Sequence, residues 1–349
     1  MPGTDNVIIR RSDNLANNAQ WDEWATLLDA VIYDSAAQQN NYDDIVKALT
    51  VEKSSKRWGE KSITMGGLGD FQAKAEGEAA AQDEYEQGFD KFVRHASFGL
   101  EVMISKELRD DNQFDDAKQK AINLVQAYKR TRARLATQAI TQAFEVTSNI
   151  SFNSAKIDVT CGDNKSLFHS AHDLKSIEGA TQANYFSDVL GSNTSVLNKA
   201  TIKMRNFKDD KGNVLGFVPD TILLPGNDPE YEDFVKRVIG SDGEVGSDHN
   251  DINTQRGKWK MVVDPEWTPT ISATNHPVIL MSSQALKALQ GTKFYDRTKL
   301  DILSREDEHT RNLTYNGFAR MSITFPNWRH VMMLGAGDAT MTLDTATSY

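Results

Sequence analysis

The chain carries one cysteine, Cys161, in 349 residues. A lone cysteine excludes a disulfide framework and suits a reducing cytosol. Long apolar runs are missing as well: none exceeds about five residues, against the roughly 20 that a membrane-crossing helix needs. Met1 to Arg11 holds charge and asparagine in place of an apolar signal core, so export is not expected. The sequons at Asn149, Asn164, Asn193 and Asn312 then carry no meaning. Cations are in deficit, with 39 basic against 49 acidic side chains and a net charge of −10. Tight sequence-independent binding to nucleic acid draws on phosphate neutralisation, which such a chain cannot supply.

Catalytic signatures are scarce too. Lys165 and Ser166 follow Gly162 at the wrong spacing for a phosphate-binding loop, and Gly66, Gly67 and Gly69 do not make a dinucleotide fingerprint. HExxH and GxSxG are absent, and Cys161 has no recognisable His/Asn signature around it. His169 and His172 lie three apart, and Asp173 could complete a metal set, so these three are the weak metal candidates and the basis of a metal-dependent hydrolase reading. A structural loop is the plainer account of the same residues. The loop from Ser241 to Asp251 is rich in oxygen ligands but out of EF-hand order, which allows a weak surface ion at most. No catalytic residue and no cofactor is expected, and the chain reads as a protein that is not an enzyme.

What the sequence does contain is one long helical pattern beside a stretch with no core. Asp111 to Glu145 reads as one helix of roughly 35 residues, about 52 Å long. Asp115 and Asp116 favour its first turn, and Phe114, Ala117, Ala121, Leu124, Tyr128, Leu135, Ala139 and Ala143 form its apolar stripe. A basic run from Lys129 to Arg134 sits mid-helix and reads as a solvated or ion-paired face, with a nucleic-acid patch as the other possibility. Before this helix, Lys53 to Gly88 offers few large apolar residues (Trp58, Ile63, Met65, Leu68, Phe71, Tyr85) and six glycines. Alternation in Ser62–Met65 and Phe89–Ile104 suggests a hairpin folding back near Gly77, reaching on the order of 60 Å. Composition alone would also allow a disordered linker.

The remaining pattern is mixed. Ala19 to Ala36 is an amphipathic helix with Trp21, Trp24, Leu28 and Val31 on one face, docked on its own core or on a neighbour. Tyr42 to Thr50 is a second helix. Phe152 to Ala180 is irregular and polar, Thr194 to Phe207 is a helix, and Lys208 to Asn213 is a turn. Val214 to Leu224 reads as a buried strand. Asp228 caps a helix that opens on Pro229 and stops at Gly240. Strands follow at Trp259–Val263, Val278–Met281, Phe318–Phe325 and Arg329–Leu334, with a short helix through Leu286 and Leu289. The fold class is α+β, with no internal repeat.

Four stretches in order carry a family resemblance: Ile104 to Asp111 (ISKELRDD), Lys165 to Leu174 (KSLFHSAHDL), Gly216 to Pro225 (GFVPDTILLP) and Val262 to Pro265 (VVDP). Together they resemble the major capsid proteins of tailed bacteriophages, particularly major head subunits of the phage Mu type, which have the Hong Kong 97-type fold. The resemblance implies an N-terminal arm over residues 1–50 and an extended loop hairpin (E-loop) over 51–103. It further implies a peripheral domain over 104–219 with spine helix 111–145, an axial domain over 220–312, and C-terminal strands over 313–349 returning to the peripheral domain. The implied subunit self-assembles as pentamers and hexamers into an icosahedral head around double-stranded DNA, without sequence-specific binding and without a membrane. The candidate subunit-interface residues are Trp21, Trp24, Trp58, Phe71, Glu76, Tyr85, Arg130, Arg132 and Arg134. The leading segment of about 50 residues is too short for a fused scaffolding domain, so a separate scaffolding protein is expected, with a portal, a prohead protease and an optional decoration protein. The virion is the implied location, with assembly in the bacterial host cytoplasm. An encapsulin-type compartment is the alternative within the same fold.

Overall fold

The computed structural model describes residues 7–12, 19–80, 82–83, 87–190, 195–243, 252–271 and 276–335. Tyr85, the acidic loop from residue 244 to 251 and the chain after Gly335 lie outside the described residues. Strand β1 (Val7–Arg11) leads to helices α1 (Ala19–Ala37) and α2 (Asn41–Leu49), then strands β2 (Val51–Ser54), β3 (Gly59–Met65), β4 (Gln87–Arg94) and β5 (Ala96–Ile104). Helix α3 (Lys106–Asp110) precedes the long helix α4 (Phe114–Thr141).

Helix α4 has 28 residues, about 42 Å at roughly 1.5 Å per residue, and is shorter than the pattern implied. Asn112 adopts a left-handed φ of 55°, which breaks the helix before Phe114. Beyond Thr141, Phe144 bridges to Phe168 and Glu145 turns to φ 44°, so the chain leaves the axis. Asp115 and Asp116 do occupy the first turn, and the alanine-rich stripe is buried as expected. In α1 the buried side is Trp21, Ala25, Leu28 and Ile32, so the packed face is rotated from the expected one. Trp24 and Val31 are only half-buried, and Trp24 meets Phe114 edge-on at 5.2 Å. Helix α2 buries Ile45, Val46 and Leu49, with Asn40 as its cap.

Short pairs β6 (Asn149–Phe152) with β7 (Ala155–Asp158) and β8 (His172–Asp173) with β9 (Thr181–Gln182) follow α4. The segment between Phe152 and Ala180 is therefore part of the body: Leu167 and Phe168 are fully buried. Next come α5 (Ser195–Arg205), β10 (Thr221–Pro225), α6 (Pro229–Gly240), β11 (Lys260–Asp264), β12 (Val278–Met281) and α7 (Ser283–Ala288). The chain closes with β13 (Lys293–Glu306), β14 (Leu313–Thr324) and β15 (Val331–Leu334). The buried strand expected from Val214 is confined to β10, because the chain turns at Gly216 with φ 71°.

Two sheets share the body. The first has the order β1-β13-β14-β5, with β2 also paired to β13. Helix α4 lies on it close to Gly317: a Cβ there would crowd Leu300 of β13 and come into contact with Leu124 of the helix. The second has the order β11-β10-β12-β15; β10 and β11 run parallel with α6 as their crossover. Its strands are continuous apolar runs such as Val278–Met281 and Val331–Leu334, buried on both faces. The C-terminal strands divide, β14 joining the first sheet and β15 the second. One core runs from the C-terminal half of α4 through both sheets, and a second lies between α1, the N-terminal half of α4 and the first sheet.

Candidate assembly surface

A protruding arm grows from the junction of β2 and β5 with the first sheet. Strands β3 and β4 pair antiparallel from Gly59↔Arg94 to Met65↔Gln87. The ladder stops there, so the paired stem is much shorter than the expected 60 Å hairpin. Among the described residues, 66–80 form no strand, and the chain turns at Glu76–Gly77, where Gly77 takes φ 85°. The expected return strand is also split: β4 stays in the arm, while β5 crosses His95 into the first sheet beside β14. At the tip Phe71 is fully exposed, at 107%, and Leu68 is 53% exposed. Trp58 at the base is 63% exposed, packed on Phe92 at 5.2 Å with the Arg94 guanidinium 5.3 Å from its ring. Large apolar groups left in water at the end of a limb mark a surface meant for another molecule.

The root of this arm is held rigidly. His95 is buried and bonds the Ser55 hydroxyl through Nε2 at 3.1 Å and the Ser322 hydroxyl through Nδ1 at 2.9 Å. Burial lowers its pKa, with Arg320 and Arg297 adding to the effect and Glu60 opposing it. Ser62 receives hydrogen bonds from Lys293 at 3.2 Å and pairs with the Tyr295 hydroxyl at 3.3 Å. Both legs of the arm are thus tied to β13 and β14.

The basic run of α4 is mostly consumed inside the chain. Lys129 is buried, bonded to the Gln38 carbonyl and 3.2 Å from Asp43. Arg132, 11% exposed, reaches Glu52 at 2.6 Å and Asp296 at 2.8 Å. Arg134 pairs with Glu266 at 3.2 Å. Only Arg130 of the three candidate arginines is exposed without an ion pair to a described residue. Of the other candidates, Trp21 is fully enclosed in its own core and has no surface to offer, whereas Trp58, Phe71 and Glu76 are exposed on the arm.

The residues considered for metal take separate partners, although the His169 and His172 rings meet edge-on at 5.8 Å. His172 is buried, bonds Asp163 at 2.6 Å and stacks on Trp328 at 4.4 Å. Burial lowers its pKa and Asp163 opposes that shift. Asp173 turns the other way to Lys165 at 2.8 Å, and His169 faces Glu145 at 3.6 Å. Adjacent residues of β8 point to opposite sides of the strand, which is why sequence proximity did not bring His172 and Asp173 together. Among the described residues no three His, Cys, Asp or Glu side chains converge on a possible metal position. No described helix is long and apolar enough to cross a membrane. The sequence reading also missed the arm's second foothold, the turn at Lys208 to Asn213, whose Asp-Asp-Lys-Gly-Asn composition signals a turn but not what it touches.

Comparison with solved structures gives the architecture its context. The fold is similar to the capsid of an empty GTA particle, at 11% identity over 85% of this chain and 90% of that chain, with a TM-score of 0.51. It is equally similar to a chain from Mycobacterium phage Patience, at 10% identity over 93% of this chain and 90% of that one, also with a TM-score of 0.51. These likenesses establish the fold, an α+β architecture of the Hong Kong 97 type. None of the curated proteins matches the chain. The profile of the family described as "Phage capsid protein" matches residues 88–331, more than half of the chain and everything from the returning leg of the arm to β15. That family and fold are structural, not enzymatic. With its long helix, two sheets and protruding limb inside or beside that match, the chain belongs to the phage capsid protein family.

Proposed function

We propose that this capsid protein is the major head subunit of a tailed bacteriophage, assembling as pentamers and hexamers into a closed icosahedral shell around double-stranded DNA. The observation that carries the reading is Phe71, a full aromatic side chain in water at the tip of a limb with no core. A second copy is the partner such a limb serves, because a shell presents every arm with the same neighbour and many modest contacts add through avidity. In this reading α4 and the first sheet form the peripheral domain, and the second sheet with α6 forms the axial domain around each capsomer centre. The net charge of −10 keeps the enclosed DNA from adhering. A separate scaffolding protein, a portal and a prohead protease complete the assembly in the host cytoplasm, a decoration protein is an optional addition, and the virion is the final location.

The test is negative-stain microscopy of the purified chain with Phe71→Ser beside it. Burying one phenyl ring contributes about 1.5–3 kcal/mol, or roughly tenfold to hundredfold per contact. Wild type is expected to form shells, tubes or capsomers. The variant is expected to keep the wild-type melting temperature but to need a much higher concentration to assemble. A wild-type chain that stays a compact monomer at high concentration would overturn the proposal.

A further inference from the structure

The turn from Lys208 to Asn213 is built more rigidly than a surface connection requires. Its ends are closed by the Lys208↔Val214 bridge and by Asp209 N–H donating to the Asn213 carbonyl at 2.8 Å. Inside it, Asp209 Oδ1 accepts the backbone N–H of Lys211 at 2.9 Å and of Asn213 at 2.8 Å. Gln182 holds it from outside, accepting from Lys208 N–H at 3.0 Å. Asp210 turns inward to Arg329 at 2.7 Å, both side chains nearly fully buried, which fastens the turn to the strand junction at Trp328. Glycine at 212 supplies the φ of +93° that such a loop needs.

Two of the remaining side chains, Asn213 and Lys211, grip the arm. Asn213 Nδ2 donates to the Leu68 carbonyl at 3.0 Å. Lys211 Nζ reaches both oxygens of Asp83, at 2.8 and 2.9 Å, and Asp83 in turn accepts the Gly69 N–H at 2.6 Å. Gly67 passes so close to the Asp209 carboxylate that any Cβ would collide with it. On the returning leg, Lys175 Nζ donates to the carbonyls of Gln87 and Gly88 at 2.8 and 2.7 Å. The outgoing strand is thus held just beyond the point where the ladder ends, and the returning strand at the end of the ladder and again at Asp83.

We infer that this turn is a bracket that sets the direction in which the arm leaves its subunit, so that only the tip, residues 70–80, exchanges solvent for a second copy. Lys211, Asn213 and Lys175 are positioning residues for that contact, and the inference rests on the shell reading above. An arm without a core would lose much of its contact energy to ordering when it docks. A bracket that orders it beforehand removes that cost, which is the general benefit of preorganisation.

The experiment uses the full chain and three variants: Lys211→Glu, Lys211→Glu with Asp83→Lys, and Asn213→Ala. Hydrogen exchange along the stem is measured on unassembled subunits, leaving out Gly69 because its N–H loses its acceptor in the Asp83→Lys chain, and shell yield and diameter are measured by microscopy. Reversing one half of a part-exposed ion pair should speed arm exchange roughly fivefold, while the melting temperature of the body stays put. Lys211→Glu and Asn213→Ala are expected to lower shell yield or broaden shell diameter, and the charge swap to recover most of both. If Lys211→Glu matches wild type in exchange and assembly, or if the swap fails to recover either, the bracket is refuted. If exchange follows the expected pattern but no chain assembles, wild type included, the bracket stands and the shell reading falls.

Discussion

Replacing Arg132 by Met should cost this chain about 3–5 kcal/mol, the loss expected when one partner of a buried ion pair is removed and the other left behind. Arg132 lies between Asp296 at 2.8 Å, Glu52 at 2.6 Å and Asp43 at 3.8 Å, with its guanidinium 5.2 Å from the Phe294 ring centre. Glu52 is exposed enough for water to take over, but Asp296 has a side chain only 8% exposed and would be stranded. Burial already raises the Asp296 pKa, against the opposing pull of Arg132, so loss of the arginine raises it further. A carboxyl whose folded pKa exceeds its unfolded value holds a proton that the unfolded chain has released. Stability therefore falls as pH rises through that interval and is regained on acidification. Urea denaturation of unassembled subunits should show the full deficit near neutral pH and a smaller one toward the carboxylate range. Adding Asp296→Asn to the Arg132→Met variant should restore much of it. A deficit below about 1 kcal/mol that is the same at both pH values would mean that the basic run is a solvated face after all.

Two further outcomes follow from buried side chains. Trp21→Ala removes a fully enclosed indole capped by the Arg109 guanidinium at 4.6 Å, and should destabilise the chain by about 3–5 kcal/mol in thermal or chemical melts; a loss under about 1 kcal/mol would show that α1 does not rest on its own body. His330 is wholly buried against Thr292 at 2.7 Å, and burial pushes its pKa down to about 3. The unfolded imidazole takes a proton near pH 6.5, so stability should drop by about 1.4 kcal/mol per unit as pH falls below that value. Its NMR signal should stay fixed between about pH 7 and about pH 5, and a titration there would contradict the burial.

Elements whose signals are local were legible in the residues. Asp228 accepts from Tyr231 N–H, Pro229 opens α6 and Gly240 is its last residue, because caps and propensities act within one turn. Helix α2 and the apolar strands β12 and β15 were equally plain. Strand β13 was not, since its fourteen residues carry Lys293, Asp296, Arg297, Lys299, Asp301, Arg305 and Glu306. Asp296 is matched from α4, Asp301 from β1 and Lys293 from the arm, and no window along the strand shows that. The left-handed Asn112 that shortens α4 and the break at His95 that turns β4 into β5 have the same character. Each depends on what the chain meets, not on what precedes it.

The residues by themselves determined that this protein has no disulfides, no apolar span, a long helix and a limb too poor in apolar groups to fold alone, since these follow from composition and short-range pattern. Only the tertiary structure decided which charges face water. Arg132 and Asp296 stand 164 positions apart, Lys211 and Asp83 stand 128 apart, and their pairing exists because two sheets and a turn bring them within hydrogen-bonding reach. Charge is cheap in water and costly in a core, so the fate of each basic or acidic group is settled by the surroundings that folding gives it.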